Sequence, residues 1–188
     1  KRWLITCVLM AFNEGKYTQQ GVLTLRGPQG IGKTRILDYF LDGHTEWGLS
    51  GVMVDLDNKD SLVSASRCWI VEFGEYGRNL GAKRANDYKA YITRPTDDIR
   101  LPYSRSWTTY PRRTAFYGST DAETFLQDAA GERRHWVISI TGIKDEARPD
   151  MAQVWGEVYH LALETHYPHY LTTEEIQRLN EQNGEYKS

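Results

Sequence analysis

Cysteine is scarce in this sequence, and its placement excludes two classes of protein. The 188 residues include two cysteines, Cys7 and Cys68, each among apolar neighbours and without a CxxC or Cys/His spacing. This pattern excludes a cysteine-based zinc site and a secreted disulfide framework, so we expect a protein of the reducing cytoplasm. The five histidines are scattered, and His160 and His166 have no partners at metal-ligand spacing.

Long hydrophobic runs and an excess of either charge are also missing. The apolar stretch RWLITCVLMAF is too short for a membrane span and lacks the flanks of a signal peptide, so no membrane partner is expected. Lys and Arg number 23 against 25 Asp and Glu, which gives a formal net charge of -2. Any contact with a polyanion must therefore come from a local cluster of Arg and Lys.

Helical and extended patterns alternate along the chain. Apolar residues recur at helical spacing in RWLITCVLMAF, TRILDYFLDG, RANDYKAYIT and DMAQVWGEVYHLALETHY. VLTL, GVMVDL, CWIVEF, TAFYGS and WVISI are typical of strands. Thr172 and Glu175 have the spacing of a capping box at the start of a last helix. The alternation predicts an α/β fold in which helices cover both faces of a mostly parallel sheet.

The length fits one domain. We divide it into an N-terminal helix and turn (1–20), a core (21–141) and C-terminal helices (142–188). Because the sequence begins at Lys1 rather than Met, we expect the domain to have been excised from a longer protein.

The stretch GPQGIGKT, residues 27–34, matches the phosphate-loop pattern GxxxxGK[ST] in full, between the strand VLTL and the helix TRILDYFLDG. Glycines let backbone N–H groups close around phosphate oxygens, and the helix N-terminus adds partial positive charge. Lys33 is expected to reach the β and γ phosphates, and Thr34 to ligate Mg²⁺. The predicted ATP-binding residues are Gly27, Pro28, Gln29, Gly30, Ile31, Gly32, Lys33 and Thr34.

ATP hydrolysis needs a carboxylate at the end of a neighbouring strand to hold the magnesium shell, and usually a second one to position the attacking water. GVMVDLDN offers Asp55 and Asp57, whereas CWIVEFGE offers Glu72 and Glu75. We favour Glu72 and Glu75, because Asp55 follows so soon after the loop helix that its strand is expected elsewhere in the sheet. A solvated loop carboxylate remains the alternative for Glu75.

The segment RPTDDIRLPYSRSWTTYPRRTAFYGSTD mixes cations with aromatic rings, a combination that suits single-stranded nucleic acid. The predicted contacts are Arg105, Trp107, Arg112 and Arg113. A surface hairpin whose aromatic side chains pack on the domain is the alternative.

Two further groups of polar residues lie at the ends of predicted strands. TAFYGSTD ends in Ser119, Thr120 and Asp121, where a sensor of the γ-phosphate would lie. Arg133 and Arg134 precede WVISI. They are either solvated, or supply a transition-state cation to a neighbouring subunit's nucleotide.

Together, GPQGIGKTRIL, KDSL before CWIVEFGE, the basic aromatic segment and FLQDAAGERRHWVISI resemble the virulence-associated protein E family of phage and mobile-element proteins. That family is similar to superfamily-three helicases, which are ring-forming AAA+-type ATPases with a P-loop fold. The resemblance implies an ATP- and Mg²⁺-dependent DNA helicase or translocase that replicates a phage or integrated element. A hexameric homo-oligomer, and a primase domain or partner, are implied for the full protein.

By position, the resemblance supports Lys33 and Thr34 as nucleotide and metal residues and Glu72 as the acidic-strand residue. It places residues 103–113 in a DNA-contacting hairpin and makes Arg133 or Arg134 the arginine finger. Asp121 is a departure, since family members often have Asn there. Either Thr120 senses the γ-phosphate, or its detection is weaker.

Two other functions fit the same loop. A P-loop kinase would phosphorylate a small molecule as a monomer, with the basic PYSR and RRH segments as a lid. A nucleotide-gated assembly module would bind ATP and hydrolyse it slowly or never, and would have no need of Glu72 and Glu75.

Overall fold

A computed structural model describes residues 1–52, 55–74, 82–100, 105–126, 132–144, 146 and 148–187, without the side chains of 82–85 and 132. Its strands are β1 (Val22–Arg26), β2 (Gly48–Val52), β3 (Ile70–Phe73), β4 (Thr96–Ile99), β5 (Thr108–Pro111), β6 (Ala115–Thr120) and β7 (His135–Ser139). Its α-helices are α1 (Arg2–Ala11), α2 (Arg35–Leu41), α3 (Lys59–Ser66), α4 (Ala82–Ile92), α5 (Met151–Tyr159) and α6 (Thr173–Asn183). Short 3₁₀ turns lie at Thr45–Trp47, Glu132–Arg134 and Gly184–Tyr186, and a π-helical turn, His160–Glu164, continues α5.

Five strands form a parallel sheet in the order β2-β3-β6-β1-β7. β4 and β5 form a separate antiparallel hairpin between β3 and β6 in the chain. Because the five strands run in one direction, their carboxyl ends meet at one edge of the sheet, where such folds commonly bind ligands. The predicted α/β fold with a mostly parallel sheet is confirmed.

Helices α1 and α2 cover one face of this sheet. Trp3 of α1 and Leu37 of α2 are buried with Leu25 and Tyr117 from the two central strands. The indole N–H of Trp3 also donates to the backbone oxygen of Phe116 at 2.8 Å. The glycine-containing loop that leads into α2 is therefore attached to a helix whose buried side chains, Leu37 and Leu41, pack on the sheet.

Helices α3 and α4 cover the opposite face. Tyr88 and Tyr91 of α4 pack with Phe73 and Phe116, whose rings stack at 5.0 Å. Ala65 of α3 lies in the same core. Both faces of the sheet are thus covered along its interior strands, as the continuous apolar runs of these strands predict, while the edge strands β2 and β7 are partly exposed.

The C-terminal helices pack on the outside of this arrangement. Val158 of α5 lies in a core with Ile5 and Leu9 of α1. The predicted capping box of α6 is present, with both hydrogen bonds between Thr172 and Glu175 formed. No helix in the described part of the chain is both long enough and apolar enough to cross a membrane.

Most predicted elements are found, with two differences. The strand predicted as GVMVDL begins three residues earlier, at Gly48. Helix α3 was not predicted, because it has few apolar residues and its signal is a local one: Asn58 caps its first turn by accepting hydrogen bonds from the backbone of Asp60 and Ser61.

Candidate functional site

The loop of residues 27–34, which we call the glycine loop, leaves the carboxyl end of the interior strand β1, which lies between β6 and β7, and enters α2. Its first residue is tightly held. The Gly27 N–H donates to the backbone oxygen of Thr120 at 3.1 Å, and a β-carbon at Gly27 would lie 2.3 Å from the Ile140 oxygen. Only glycine fits between β6 and the end of β7 at this point.

The rest of the loop curves outward. Gly30 and Gly32 have φ of 82° and 89°, a conformation that other residues rarely adopt. The Lys33 ammonium donates to the oxygens of Gly27 and Pro28 at 2.7 and 2.8 Å, so it lies over the loop's own backbone. Thr34 is exposed and its hydroxyl makes no capping hydrogen bond.

These features fit a triphosphate and its magnesium ion. The cation of Lys33 is already held at the mouth of the loop, and the Thr34 hydroxyl remains available as an oxygen ligand. Within the described ranges, no group of three or more His, Cys, Asp and Glu side chains could hold a metal ion. Mg²⁺ needs no such group, since it keeps several waters and takes one or two protein ligands beside the phosphates.

Glu72, on β3, is fully buried in the sheet face that α2 covers. One of its carboxylate oxygens accepts a hydrogen bond from the Ser119 hydroxyl at 2.7 Å, and the other accepts from the Gly51 N–H at 3.0 Å. The strand register pairs Glu72 with Tyr117 and Tyr117 with Leu23, which lies four residues before Gly27. The carboxylate is therefore set back from the glycine loop, in a fixed position behind it.

The neighbourhood of this carboxylate is negatively charged. Burial raises the pKa of the Tyr117 hydroxyl strongly, and the carboxylates of Glu72 and Asp38 raise it further. The Tyr117 hydroxyl consequently stays neutral in the folded protein. Asp38 belongs to α2 and is exposed, so it acts on the Tyr117 hydroxyl through its charge rather than through a contact.

The other candidate carboxylates are placed differently. Strand β2 lies at the edge of the sheet, with β3 and β6 between it and β1, as expected from its position in the sequence. Asp55 and Asp57 are exposed, and Asp55 accepts a hydrogen bond from the Asp57 N–H in a turn before α3. Glu75 lies outside the described residues.

Of the three polar residues that end β6, Ser119 is the one that contacts Glu72. Thr120 was the predicted sensor, but side chains alternate along a strand, so it lies on the face opposite to Ser119 and α2. Its hydroxyl is buried and accepts a hydrogen bond from the Ala122 N–H at 3.2 Å. The geometry therefore brings Ser119, rather than Thr120, together with the acidic strand.

Arg133 and Arg134 lie at the other end of the sheet. They precede β7, whose first residue His135 pairs with Val22 at the start of β1. The glycine loop begins five residues later, about 16 Å farther along the strand. Neither guanidinium is positioned for the nucleotide site of its own chain.

The predicted nucleic-acid segment forms the β4–β5 hairpin, with residues 101–104 outside the described ranges. Trp107 is 56% exposed, and the Lys59 ammonium lies 5.3 Å from the centre of its ring. Arg105 is exposed as well. Both side chains are accessible from solvent, as a contact with DNA requires.

Arg112 requires a correction. It is fully buried, where its guanidinium forms an ion pair with Asp97, donates to the Tyr91 oxygen and lies 4.2 Å from the centre of the Tyr91 ring. It cannot reach a DNA strand without breaking these contacts, so Arg112 is a structural residue. Arg113, next in the chain, is exposed.

Some residues of this region were missed from the sequence. Ser119 was noted only as one of three polar residues at a strand end, and nothing in the sequence shows that it faces Glu72. Gln19 was not noted. Its buried amide donates to Phe116 and Gly21 oxygens and accepts from the Phe116 N–H, which ties the turn before β1 to β6.

Comparison with known proteins gives one family. The family model described as the Virulence-associated protein E-like domain matches residues 1–188. No curated protein matches the chain.

Two solved structures of the NrS-1 C-terminal region have a similar fold. An apo structure of its residues 305–718 is 19% identical with a TM-score of 0.53, and the match covers 94% of this chain and 43% of that one. The A-form apo structure is 18% identical with a TM-score of 0.55, and covers 95% and 43%. This chain thus spans less than half the length of those chains, and at such identity the likeness shows the fold alone.

Proposed function

Because the chain belongs to the Virulence-associated protein E-like domain family, we propose that it is an ATP-dependent DNA helicase or translocase domain. It would act in the replication of a phage or an integrated mobile element. The observation that carries the proposal is the glycine loop at the carboxyl end of β1, with the Lys33 ammonium held across the Gly27 and Pro28 carbonyls.

In this proposal the glycine loop surrounds the triphosphate. Lys33 exchanges the two carbonyl oxygens for β- and γ-phosphate oxygens, which are stronger partners because they are charged. The Thr34 hydroxyl would ligate Mg²⁺, and the bound ion would supply positive charge beside the phosphates. Gly27, fixed between β6 and β7, sets the height of the loop above the sheet.

The acidic strand supplies the carboxylates. Glu72 would order the water shell of a bound metal ion from behind the loop, and the hydrogen bonds from Ser119 and Gly51 hold its carboxylate in one orientation. Glu75 follows three residues later in the sequence and is the candidate for positioning the attacking water.

The remaining charged groups act between subunits and on DNA. Arg133 or Arg134 would stabilise the transition state at a neighbouring subunit's nucleotide, which explains why both precede β7 rather than face the loop of their own chain. A ring, hexameric in the full protein, provides this neighbour. Arg105 and Trp107 on the β4–β5 hairpin would hold a single strand, and nucleotide turnover would move the hairpin along it.

Separating nucleotide binding from hydrolysis tests this assignment. We expect Lys33→Ala to lose most ATP affinity, and Glu72→Gln to bind Mg²⁺-ATP near the wild-type level while turnover falls at least about a hundredfold. Calorimetry measures binding and phosphate release measures turnover. Lys16→Ala is the matched control, since Lys16 is an exposed lysine on the turn before β1.

Two results would contradict the proposal. Unchanged ATP affinity in Lys33→Ala would show that the glycine loop does not bind the phosphates. Unchanged turnover in Glu72→Gln would show that Glu72 has no role in hydrolysis. Because a glutamine cannot accept two hydrogen bonds at the same two positions, urea unfolding of each variant establishes that the fold is retained.

A further inference from the structure

A cavity of about 550 Å³ lies at the amino end of the strands, opposite to the end that carries the glycine loop. Trp47 comes directly before β2, Trp69 directly before β3, and Arg113 two residues before β6. Helices α1 and α5 supply the other wall. We call this cavity the aromatic groove and define it by Phe12, Trp47, Arg67, Trp69, Arg113 and Trp155.

The rings of the aromatic groove are fixed in advance. The indole N–H of Trp69 donates to the Cys7 oxygen and that of Trp155 to the Phe40 oxygen, both at 2.8 Å. Their ring centres are 4.8 Å apart. Trp47, whose ring lies 6.5 Å from that of Trp69, is 45% exposed. One face of the Trp47 ring is stacked on His44, with the ring centres 4.0 Å apart. A base would therefore stack on its other face, beside the two indoles that are held by hydrogen bonds.

The charges at the aromatic groove have one sign. Among the described residues, Arg67 and Arg113 are the charged ones that line it, and none of the lining residues is acidic. Both guanidinium groups are exposed, and neither is in an ion pair with a described carboxylate. A positive groove on a chain with a net charge of -2 favours an anionic ligand.

The charged polar groups of the groove favour a nucleic acid over a peptide. The side-chain donors of Ser66, Cys68, Trp69 and Trp155 are used within the protein. Of the other lining groups, the Tyr159 hydroxyl can donate or accept, and the two guanidinium groups are charged donors without acceptor capacity. These two cations match phosphate oxygens, whereas a peptide backbone carries no charge for them to bind.

We propose that the aromatic groove binds single-stranded DNA, with a base stacked on Trp47 and neighbouring phosphates on Arg67 and Arg113. The inference rests on the proposed function and extends it. Arg113 lies between the end of the β4–β5 hairpin and β6, so the groove begins where the hairpin rejoins the sheet. A strand held by Arg105 and Trp107 would continue over Arg113 into the groove.

The test is the affinity of the full chain for a fluorescein-labelled oligo-dT, measured by anisotropy at several salt concentrations. We expect Trp47→Ala to weaken binding about fivefold or more and Trp47→Phe to restore much of it, because stacking needs only a ring. Arg67→Ala should lower the slope of log affinity against log salt by about 0.7, the value for one phosphate contact on a single strand. Arg178→Ala is the matched control, an exposed arginine on α6.

The outcomes separate this inference from the proposed function. If the groove variants keep the wild-type affinity while Arg105→Ala and Trp107→Ala bind more weakly, the groove does not bind the strand. The proposed function would then remain intact. No binding of oligo-dT by the wild type at low salt overturns both. If dTMP alone quenches tryptophan fluorescence as strongly as the oligonucleotide, the groove is a small-molecule site. If the groove variants leave the oligo-dT affinity unchanged and alter only the mass measured by sedimentation, the groove is a contact between protein molecules.

Discussion

Arg112 shows how far the role of one residue depends on its surroundings. It is the largest of the fully buried side chains, and Asp97, the Tyr91 oxygen and the Tyr91 ring together satisfy its guanidinium. Arg113, its neighbour in sequence, is exposed. Two adjacent arginines in one basic segment therefore have different functions, one in folding and one at the surface.

Replacement of Arg112 should destabilise the fold. Arg112→Met leaves the Asp97 carboxylate, 12% exposed, without its partner, and we expect the free energy of unfolding to fall by about 3–5 kcal/mol. Arg113→Met is the matched control and should change it by about 0.5 kcal/mol at most. Urea unfolding measures both, and an equal effect of the two substitutions would contradict the structural role.

His135 gives a prediction about pH. Burial, together with the charges of Lys89 and Arg134, lowers the pKa of His135 from 6.5 to about 4. Below pH 6.5 the unfolded chain binds a proton that the folded protein does not, so stability is lost as the pH falls from 6.5 toward 4. At pH 5 the loss reaches about 2 kcal/mol. Urea unfolding at pH 7.5 and pH 5 should show this loss in the wild type and a smaller one in His135→Gln. The same loss in both proteins would exclude His135 as its source.

At the scale of elements, the glycine loop and the strand ends beside it form one unit. Gly27 is hydrogen-bonded to Thr120 of β6 and in contact with Ile140, directly after β7. The Ile140 N–H in turn donates to the Arg26 oxygen at 2.8 Å. A shift of the backbone at any of these points moves the carbonyls that hold Lys33.

Gly27→Ala should therefore damage both stability and nucleotide binding. Its β-carbon would lie 2.3 Å from the Ile140 oxygen, and relief of that overlap should cost about 1–3 kcal/mol. We expect ATP affinity to fall at least tenfold in calorimetry, because the Gly27 carbonyl moves. Gly142→Ala is the control, since in the described part of the chain no atom beyond its two chain neighbours lies within 4 Å of a β-carbon there. Equal ATP affinity in the two variants would show that the close approach at Gly27 is unimportant.

The elements that could be predicted from sequence are those with strong periodicity or a short local signal. The strands of the sheet, α2, α4 and the capping box of α6 belong to this group. Helix α3 has too few apolar residues for a periodic signal, and the start of β2 at Gly48 is set by its pairing with Ile70 on β3. Long-range pairing of this kind leaves no trace in a local window.

The residues of the candidate site also differ in how far they could be predicted from sequence. The glycine loop follows from its motif, because spacing and chemistry lie within eight residues. The contact of Ser119 with Glu72 spans 47 residues, and the burial of Arg112 depends on Asp97 and α4. Three of the six tryptophans line the aromatic groove, although they are far apart in sequence. Only the folded chain brings them together.

At the scale of the whole molecule, the two ends of the sheet carry different groups. The glycine loop lies at the carboxyl end, with Glu72 behind it, while Arg133, Arg134 and the aromatic groove lie at the amino end. In the proposed ring, the amino-end arginines of one subunit serve the nucleotide of the next. Turnover should then depend on assembly and on DNA.

The most direct test of the central claim is ATP turnover with Mg²⁺, measured with and without single-stranded DNA over a range of protein concentration. Lys33→Ala provides the background. We expect turnover per chain to rise steeply with protein concentration and to increase when DNA is added. Turnover that ignores DNA and stays constant per chain at all concentrations would contradict a ring translocase, and would instead indicate a monomeric kinase whose acceptor is still to be found.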